Sequence, residues 1–121
     1  MRRIRLLTIL FAIVVGSAMA YQYPIKDVKG LHSASFAEMR PDHFHSGVDI
    51  KTEGKIGKPI VAAEDGYISR VSHTPSGYGL ALYVTHPERG TMTVYGHLSR
   101  FIDGVESYVR DYRYQNRANS V

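Results

Sequence analysis

The sequence predicts a mainly β domain, built from a small antiparallel sheet that is followed by one amphipathic helix. Runs of β-branched and aromatic residues recur at short intervals between residues 59 and 97, and turns containing Pro and Gly separate them. Beyond His97 the apolar residues recur every three or four positions, which is typical of a helix. A length of 121 residues suits one small domain.

The strands are predicted in order along the chain. In residues 43–50, Phe44, Val48 and Ile50 share one parity, which indicates a half-buried extended segment. A short apolar strand is expected at 59–63, and another from Gly66 to about residue 72. Residues 80–86 and 91–97 are separated by four residues that include a Pro and a Gly, so they predict a β-hairpin.

The helix is expected over roughly residues 104–114. Asp103, with Glu106 three residues later, fits an N-cap with a capping box. Five apolar residues form a stripe at helical spacing: Phe101, Val105, Tyr108, Val109 and Tyr112.

The N-terminus has the three parts of a secretory signal peptide, which we expect to span residues 1–20. Three arginines at positions 2, 3 and 5 precede ten mostly apolar residues, and Ala18-Met19-Ala20 is a small-residue cleavage site. Ten apolar residues are too few to cross a bilayer, which needs about 20. We therefore expect an exported protein, periplasmic or extracellular, without a stable membrane anchor. Residues 21–39 are interpreted as an irregular lead-in to a domain over 40–121.

The charge of the chain does not favour nucleic-acid binding. Of the fifteen basic residues, three lie in the predicted signal peptide, which leaves twelve against eleven acidic residues with their signs interleaved. A nucleic-acid surface needs clustered positive charge, so that function is set aside. The chain has no cysteine, so any metal must be held by imidazole and carboxylate groups.

His45 and Asp49 are a candidate pair of zinc ligands. Four residues of a straight strand span about 13 Å, which is too far for both side chains to reach one ion. Gly47, midway between them, permits a bend that would bring the two side chains together. The alternative is a solvated polar strand face, and His43, which shares the parity of His45, could replace it as a ligand.

The other histidines differ in their positions. His97 ends a predicted strand, where it could carry a proton or be a hydrogen-bonded edge residue. His86, next to the hairpin turn, is interpreted as structural. His32 and His73 fall in expected loops.

Four stretches together carry a family resemblance: HFHSGVDI, GKPIVAAEDGYISRV, GYGLALYVTHPERG and MTVYGHLSRF. From about residue 40 to residue 101 and into the helix, the chain resembles the first half of a lysostaphin-type, LytM-like zinc metallopeptidase domain. The resemblance implies a lysostaphin-like fold with the duplicated hybrid motif, and a Zn²⁺-dependent endopeptidase that cleaves peptide cross-links of peptidoglycan. It also implies that His45 and Asp49, the HxxxD motif, are zinc ligands and that His97 is catalytic.

One motif of that family has no separate match. Family members carry a later HxH motif that provides a third ligand and a second active-site histidine, whereas the HxH here, at residues 43–45, overlaps the first motif. We therefore expect a truncated domain that is inactive as given. The alternative is a non-catalytic cell-wall or partner-binding module of the same fold. A swinging-arm carrier domain is disfavoured because Lys51, Lys55 and Lys58 lack the tight hairpin setting that it needs. No oligomeric state is predicted.

Overall fold

The computed structural model describes residues 20–28 and 30–117, and the mainly β class is confirmed. Two small antiparallel sheets and one helix make up the fold. In chain order the elements are β1 His32–Ala34, β2 Asp49–Ile50, β3 Tyr67–His73, β4 Leu80–His86, a 3-10 turn Pro87–Arg89, β5 Thr91–Tyr95 and α1 Asp103–Asn116.

The larger sheet has the strand order β3-β4-β5, and both of its strand pairs are antiparallel. The predicted hairpin between β4 and β5 is confirmed. Its connection is the 3-10 turn, which ends at Gly90 in the left-handed conformation with φ 62°. A residue with a β-carbon is strained in that conformation, whereas glycine adopts it without steric cost, so glycine stabilises this turn. β5 ends at Tyr95 rather than at His97 as predicted.

The smaller sheet pairs β1 with β2, Ala34 opposite Asp49. It joins the predicted lead-in to the segment that carries the candidate metal ligands, because β1 lies within residues 21–39. His32 therefore belongs to a strand, and His73 likewise ends β3, so the prediction that both lie in loops was wrong.

Two predicted strands are absent or shortened. Only Asp49–Ile50 is a strand within residues 43–50, and Phe44 and Val48 are 65% and 49% exposed. In residues 59–63, Ile60 makes a single bridge to Ile25 instead of a ladder. Alternating polarity indicates a half-buried strand only where a neighbouring layer covers one face, and no layer built from the described residues covers Phe44 or Val48.

The helix packs against one face of the larger sheet. Val71 of β3 and Val109 of α1 form a buried cluster with Phe101, surrounded by the partly buried side chains of Leu80, Leu82, Leu98 and Val105. The helix extends beyond the predicted bounds at both ends. Tyr108, predicted to belong to the apolar stripe, is 60% exposed and faces away from this cluster.

The predicted cap at Asp103 was wrong. Ile102 is the N-cap residue, no side chain caps the helix, and Asp103 is the first helical residue. Glu106 still reaches back to the entry of the helix, because its Oε2 accepts a hydrogen bond of 3.2 Å from the backbone N–H of Phe101. As in a capping box, a carboxylate of the first turn therefore accepts a backbone N–H at the start of the helix, but this N–H belongs to Phe101, the residue before the N-cap.

His86, at the end of β4, is fully buried. Its Nδ1 lies 3.0 Å from the carbonyl oxygen of Asp65, and its Nε2 lies 2.8 Å from Oγ1 of Thr93. Because a buried polar group must be hydrogen-bonded, these two contacts explain how an imidazole is tolerated there. His86 is structural, as its position next to the turn predicted.

Tyr21, near the N-terminal end of the described chain, packs beside His86. The ring of Tyr21 lies 5.8 Å from that of His86, and the guanidinium of Arg89 stacks over Tyr21 at 4.7 Å. Arg89 also forms an ion pair with Glu64, at 2.7 Å from Nε to Oε2. The backbone N–H of Asp65 and this guanidinium together hold the pKa of Glu64 below its usual range.

Within residues 20–28 and 30–117, no helix is both long enough and apolar enough to span a bilayer. The predicted signal peptide falls almost entirely on residues 1–19, which lie outside the described residues.

Candidate metal centre

The structure brings the side chains of His45 and Asp49 together. His45 Nε2 lies 3.2 Å from Asp49 Oδ1. Two ligands on a tetrahedral zinc ion, with bonds of about 2.0–2.1 Å, stand about 3.3–3.4 Å apart. The separation of the two atoms therefore matches one edge of a zinc coordination tetrahedron.

The hydrogen bond that His45 makes through its other ring nitrogen, Nδ1, favours metal binding at Nε2. His45 Nδ1 lies 3.0 Å from the carbonyl oxygen of Ser35, which can only accept, so Nδ1 carries the hydrogen. In the neutral ring the lone pair of Nε2 then faces a carboxylate oxygen, an arrangement that a proton or a shared cation must relieve. A backbone carbonyl bound to the remote ring nitrogen is also the usual support of a metal-ligating histidine.

Asp49 is oriented by an arginine. Arg40 Nη2 lies 3.2 Å from Asp49 Oδ2, so Oδ1 is left to face His45. The Arg40 side chain is 35% exposed and that of Asp49 is 45% exposed, so solvent screens this ion pair and its main effect is on orientation.

A hairpin-like segment presents His45. The N–H of Ala37 donates to the carbonyl of His45 at 2.7 Å, and the N–H of His45 donates to the carbonyl of Glu38 at 2.8 Å. Asp49 begins β2, which is anchored by its pairing with β1. Gly47 lies at a bend between the two, as expected, although its φ is not positive and a β-carbon there would meet nothing within 4 Å. The bend therefore does not require glycine.

His97 lies just beyond the end of β5. Its backbone is left-handed with φ 56°, a conformation that non-glycine residues seldom adopt, and its N–H donates to the carbonyl of Tyr78 at 2.8 Å. The side chain is exposed.

Tyr78 links His97 to the segment of His45. Its hydroxyl lies 3.1 Å from Oγ of Ser46, the neighbour of His45, while its carbonyl holds His97. Neither this role nor those of Ser35 and Arg40 was found from the sequence. The glycines on both sides of Tyr78, each with φ above 60°, were the available signal for an unusual turn.

No third ligand joins the pair among the described residues, which contain no group of three or more His, Cys, Asp or Glu side chains able to hold a metal. His43, the alternative to His45, is directed at its neighbour, with Nδ1 at 2.6 Å from Oδ1 of Asp42. The residues present fit zinc as a two-ligand half-site.

Comparison with known proteins agrees with this geometry. The sequence model of peptidase family M23 matches residues 43–111, a range that contains His45, Asp49 and His97. Neither the curated proteins nor the solved structures include a significant match. Because the matched range covers more than half of the chain, and the pair within it has the spacing of metal ligands, the chain belongs to peptidase family M23.

Proposed function

We propose that this protein is an exported, zinc-dependent endopeptidase-type domain directed at the peptide cross-links of peptidoglycan, with His45 and Asp49 as zinc ligands and His97 as a catalytic residue. The observation that carries the proposal is the 3.2 Å approach of His45 Nε2 to Asp49 Oδ1 inside the range that matches peptidase family M23. Export rests on the signal-peptide pattern of residues 1–20.

Each residue has a distinct part in this proposal. Ser35 and Arg40 orient the two ligands, and the loop of Tyr78 holds His97 in its left-handed turn. A zinc ion held by His45 and Asp49 would supply a Lewis acid for the activation of water and the polarisation of a peptide carbonyl. His97, whose side chain is exposed, would hold or move a proton beside the substrate.

The described residues provide two protein ligands, whereas a catalytic zinc site has three. We therefore propose that the chain as given binds zinc weakly and does not cleave peptidoglycan by itself. The same observation favours a second candidate function, a non-catalytic cell-wall or partner-binding module of the same fold.

Zinc titration of the full chain by calorimetry tests the ligand assignment. Loss of a residue that only supports a metal ligand weakens metal binding by about 10–100-fold. His45→Ala and Asp49→Ala should each weaken zinc binding by more than this, because each removes a proposed ligand. His97→Ala should leave zinc affinity unchanged. His43→Ala is the matched control, since it removes a neighbouring imidazole that faces Asp42.

Three results decide between the alternatives. Unchanged zinc affinity in His45→Ala, with loss in His43→Ala, would overturn the ligand assignment. The absence of any zinc binding by the parent chain would favour the non-catalytic module. Zinc-dependent release of muropeptides by the parent chain would show that a further ligand completes the site, contrary to the proposal.

A further inference from the structure

A cavity of about 540 Å³ lies between α1 and the larger sheet. Leu80 and Phe101 contribute apolar surface, and four basic side chains line it: His73, Arg110, Arg113 and Arg117. Glu106 is the acidic residue in its lining, and the carboxylate of Glu106 already accepts the N–H of Phe101. The cavity shares no lining residue with the candidate metal centre.

Arg110 and Arg113 lie three residues apart on α1, so their side chains project from one helical face. Arg117 follows the helix as its C-cap residue, with φ 52°, and its side chain lines the same cavity. Arg113 contacts Nδ1 of His73, which ends β3, so the basic group spans both elements.

Among the described residues, carboxylates do little to neutralise Arg110 and Arg117. Arg110 meets Asp111 at 3.4 Å, with both side chains about two-thirds exposed, which makes a weak contact. Arg117 has no ion pair with any residue in the described part of the chain. Basic residues in a last helical turn complement the helix dipole, but this does not account for Arg110, nearly two turns before the end, or for His73 on a strand.

Two residues that line the cavity, His73 and Leu80, lie at the same end of the sheet as His97. β3 ends at His73, β4 begins at Leu80 and β5 ends at Tyr95, so these three termini lie side by side in the antiparallel sheet. The loop between His73 and Leu80 contains Tyr78, which holds His97. A peptide lying along this end of the sheet could contact both the His97 loop and the cavity.

We propose that this cavity is an accessory subsite for a carboxylate of the peptide stem in the cell-wall substrate, held by Arg110, Arg113 and Arg117. The proposal rests on the proposed function for its choice of ligand. Guanidinium groups bind carboxylates through paired hydrogen bonds, and the apolar surface of Leu80 and Phe101 suits the aliphatic part of a peptide. The volume is large enough for more than a single inorganic ion.

The test is the affinity of the full chain for a soluble, fluorescently labelled muropeptide with free carboxylates, measured by anisotropy without added zinc. The double variant Arg110→Gln and Arg117→Gln should bind at least about tenfold more weakly. The control, Arg70→Gln with Arg100→Gln, removes the same charge at exposed positions outside the cavity lining, and should stay within about twofold of the parent.

A second measurement does not depend on the folding of any variant. Amidation of the muropeptide carboxylates should weaken its binding to the parent chain by a similar factor, and inorganic phosphate alone should compete poorly. Equal affinity for free and amidated muropeptide would overturn the proposal. Displacement by phosphate at concentrations equal to the muropeptide would also overturn it, since the cavity would then be a general oxyanion site.

The outcome is separable from that of the proposed function. Muropeptide binding that depends on Arg110 and Arg117, in a chain that takes up no zinc, would retain the subsite and reject the zinc centre. Zinc binding that depends on His45, with muropeptide affinity unchanged in the arginine variant, would retain the zinc centre and reject the subsite.

Discussion

Gly66→Ala should destabilise the protein strongly, because there is no room for a β-carbon at this position. An added β-carbon would lie 2.2 Å from the carbonyl oxygen of Thr85 and 2.9 Å from Nδ1 of His86. Thr85 belongs to the central strand β4, which is paired on both sides. Its carbonyl therefore cannot move away without disturbing the hydrogen bonds of β4 to both neighbouring strands. The end of a flexible side chain, by contrast, could move aside.

The cost has two parts. Forcing an extra carbon into packed surroundings costs about 1–3 kcal/mol. Moving the backbone next to Asp65 would also stretch its hydrogen bond to the buried ring of His86, and an unsatisfied buried group costs about 1–3 kcal/mol. The sum, about 2–6 kcal/mol, is a large part of the ~5–15 kcal/mol net stability of a typical domain.

Urea unfolding followed by circular dichroism measures this cost. The matched control is Gly47→Ala, which introduces the same β-carbon where nothing lies within 4 Å and φ is not positive. We expect the control to remain within about 0.5 kcal/mol of the parent. If Gly66→Ala is as stable as Gly47→Ala, the close approach of residues 65–66 to β4 is not as described, and the argument fails.

Two further predictions concern a surface ion pair and the core. Since the folded-state pKa of Glu64 is lowered, the contribution of this carboxylate to stability is present above the unfolded-state pKa and is lost as the pH falls through the folded-state value. Urea unfolding between about pH 7 and pH 3 should therefore show a smaller acid loss in Glu64→Gln than in the parent, and identical pH profiles would contradict this reasoning. Phe101→Ala should cost about 3–5 kcal/mol because its ring is buried between sheet and helix, whereas Tyr108→Ala should cost less than about 0.5 kcal/mol. Comparable losses in the two chemical denaturation curves would place both rings in the core and refute the described orientation of the helix.

Local patterns predicted the best-defined parts of the fold. The β-branched runs that became β3 and β4, the four-residue connection before β5 and the helical spacing after Phe101 depend mostly on neighbours in the chain. The predictions failed where the answer depends on a distant partner. Residues 43–50 lack a covering layer, so their alternation does not produce a full strand, and β1 forms because residues 49–50 lie beside it.

The sequence by itself determined the chemistry available to this protein. It contains no cysteine, it places a histidine and an aspartate four residues apart with a glycine between them, and its residues 43–111 match the model of peptidase family M23. Composition and spacing are properties of the chain, so they can be known without coordinates.

Only the tertiary structure decided which of these groups meet. It directed His45 rather than His43 at Asp49, placed the carbonyl of Ser35 against His45 and the guanidinium of Arg40 against Asp49, and joined Tyr78 to both His97 and Ser46. It also gathered three arginines and His73 around one cavity. These contacts connect residues that are up to 40 positions apart, as for Arg113 and His73, and no local pattern encodes them, because side chains distant in sequence are brought together only when the sheets and the helix pack.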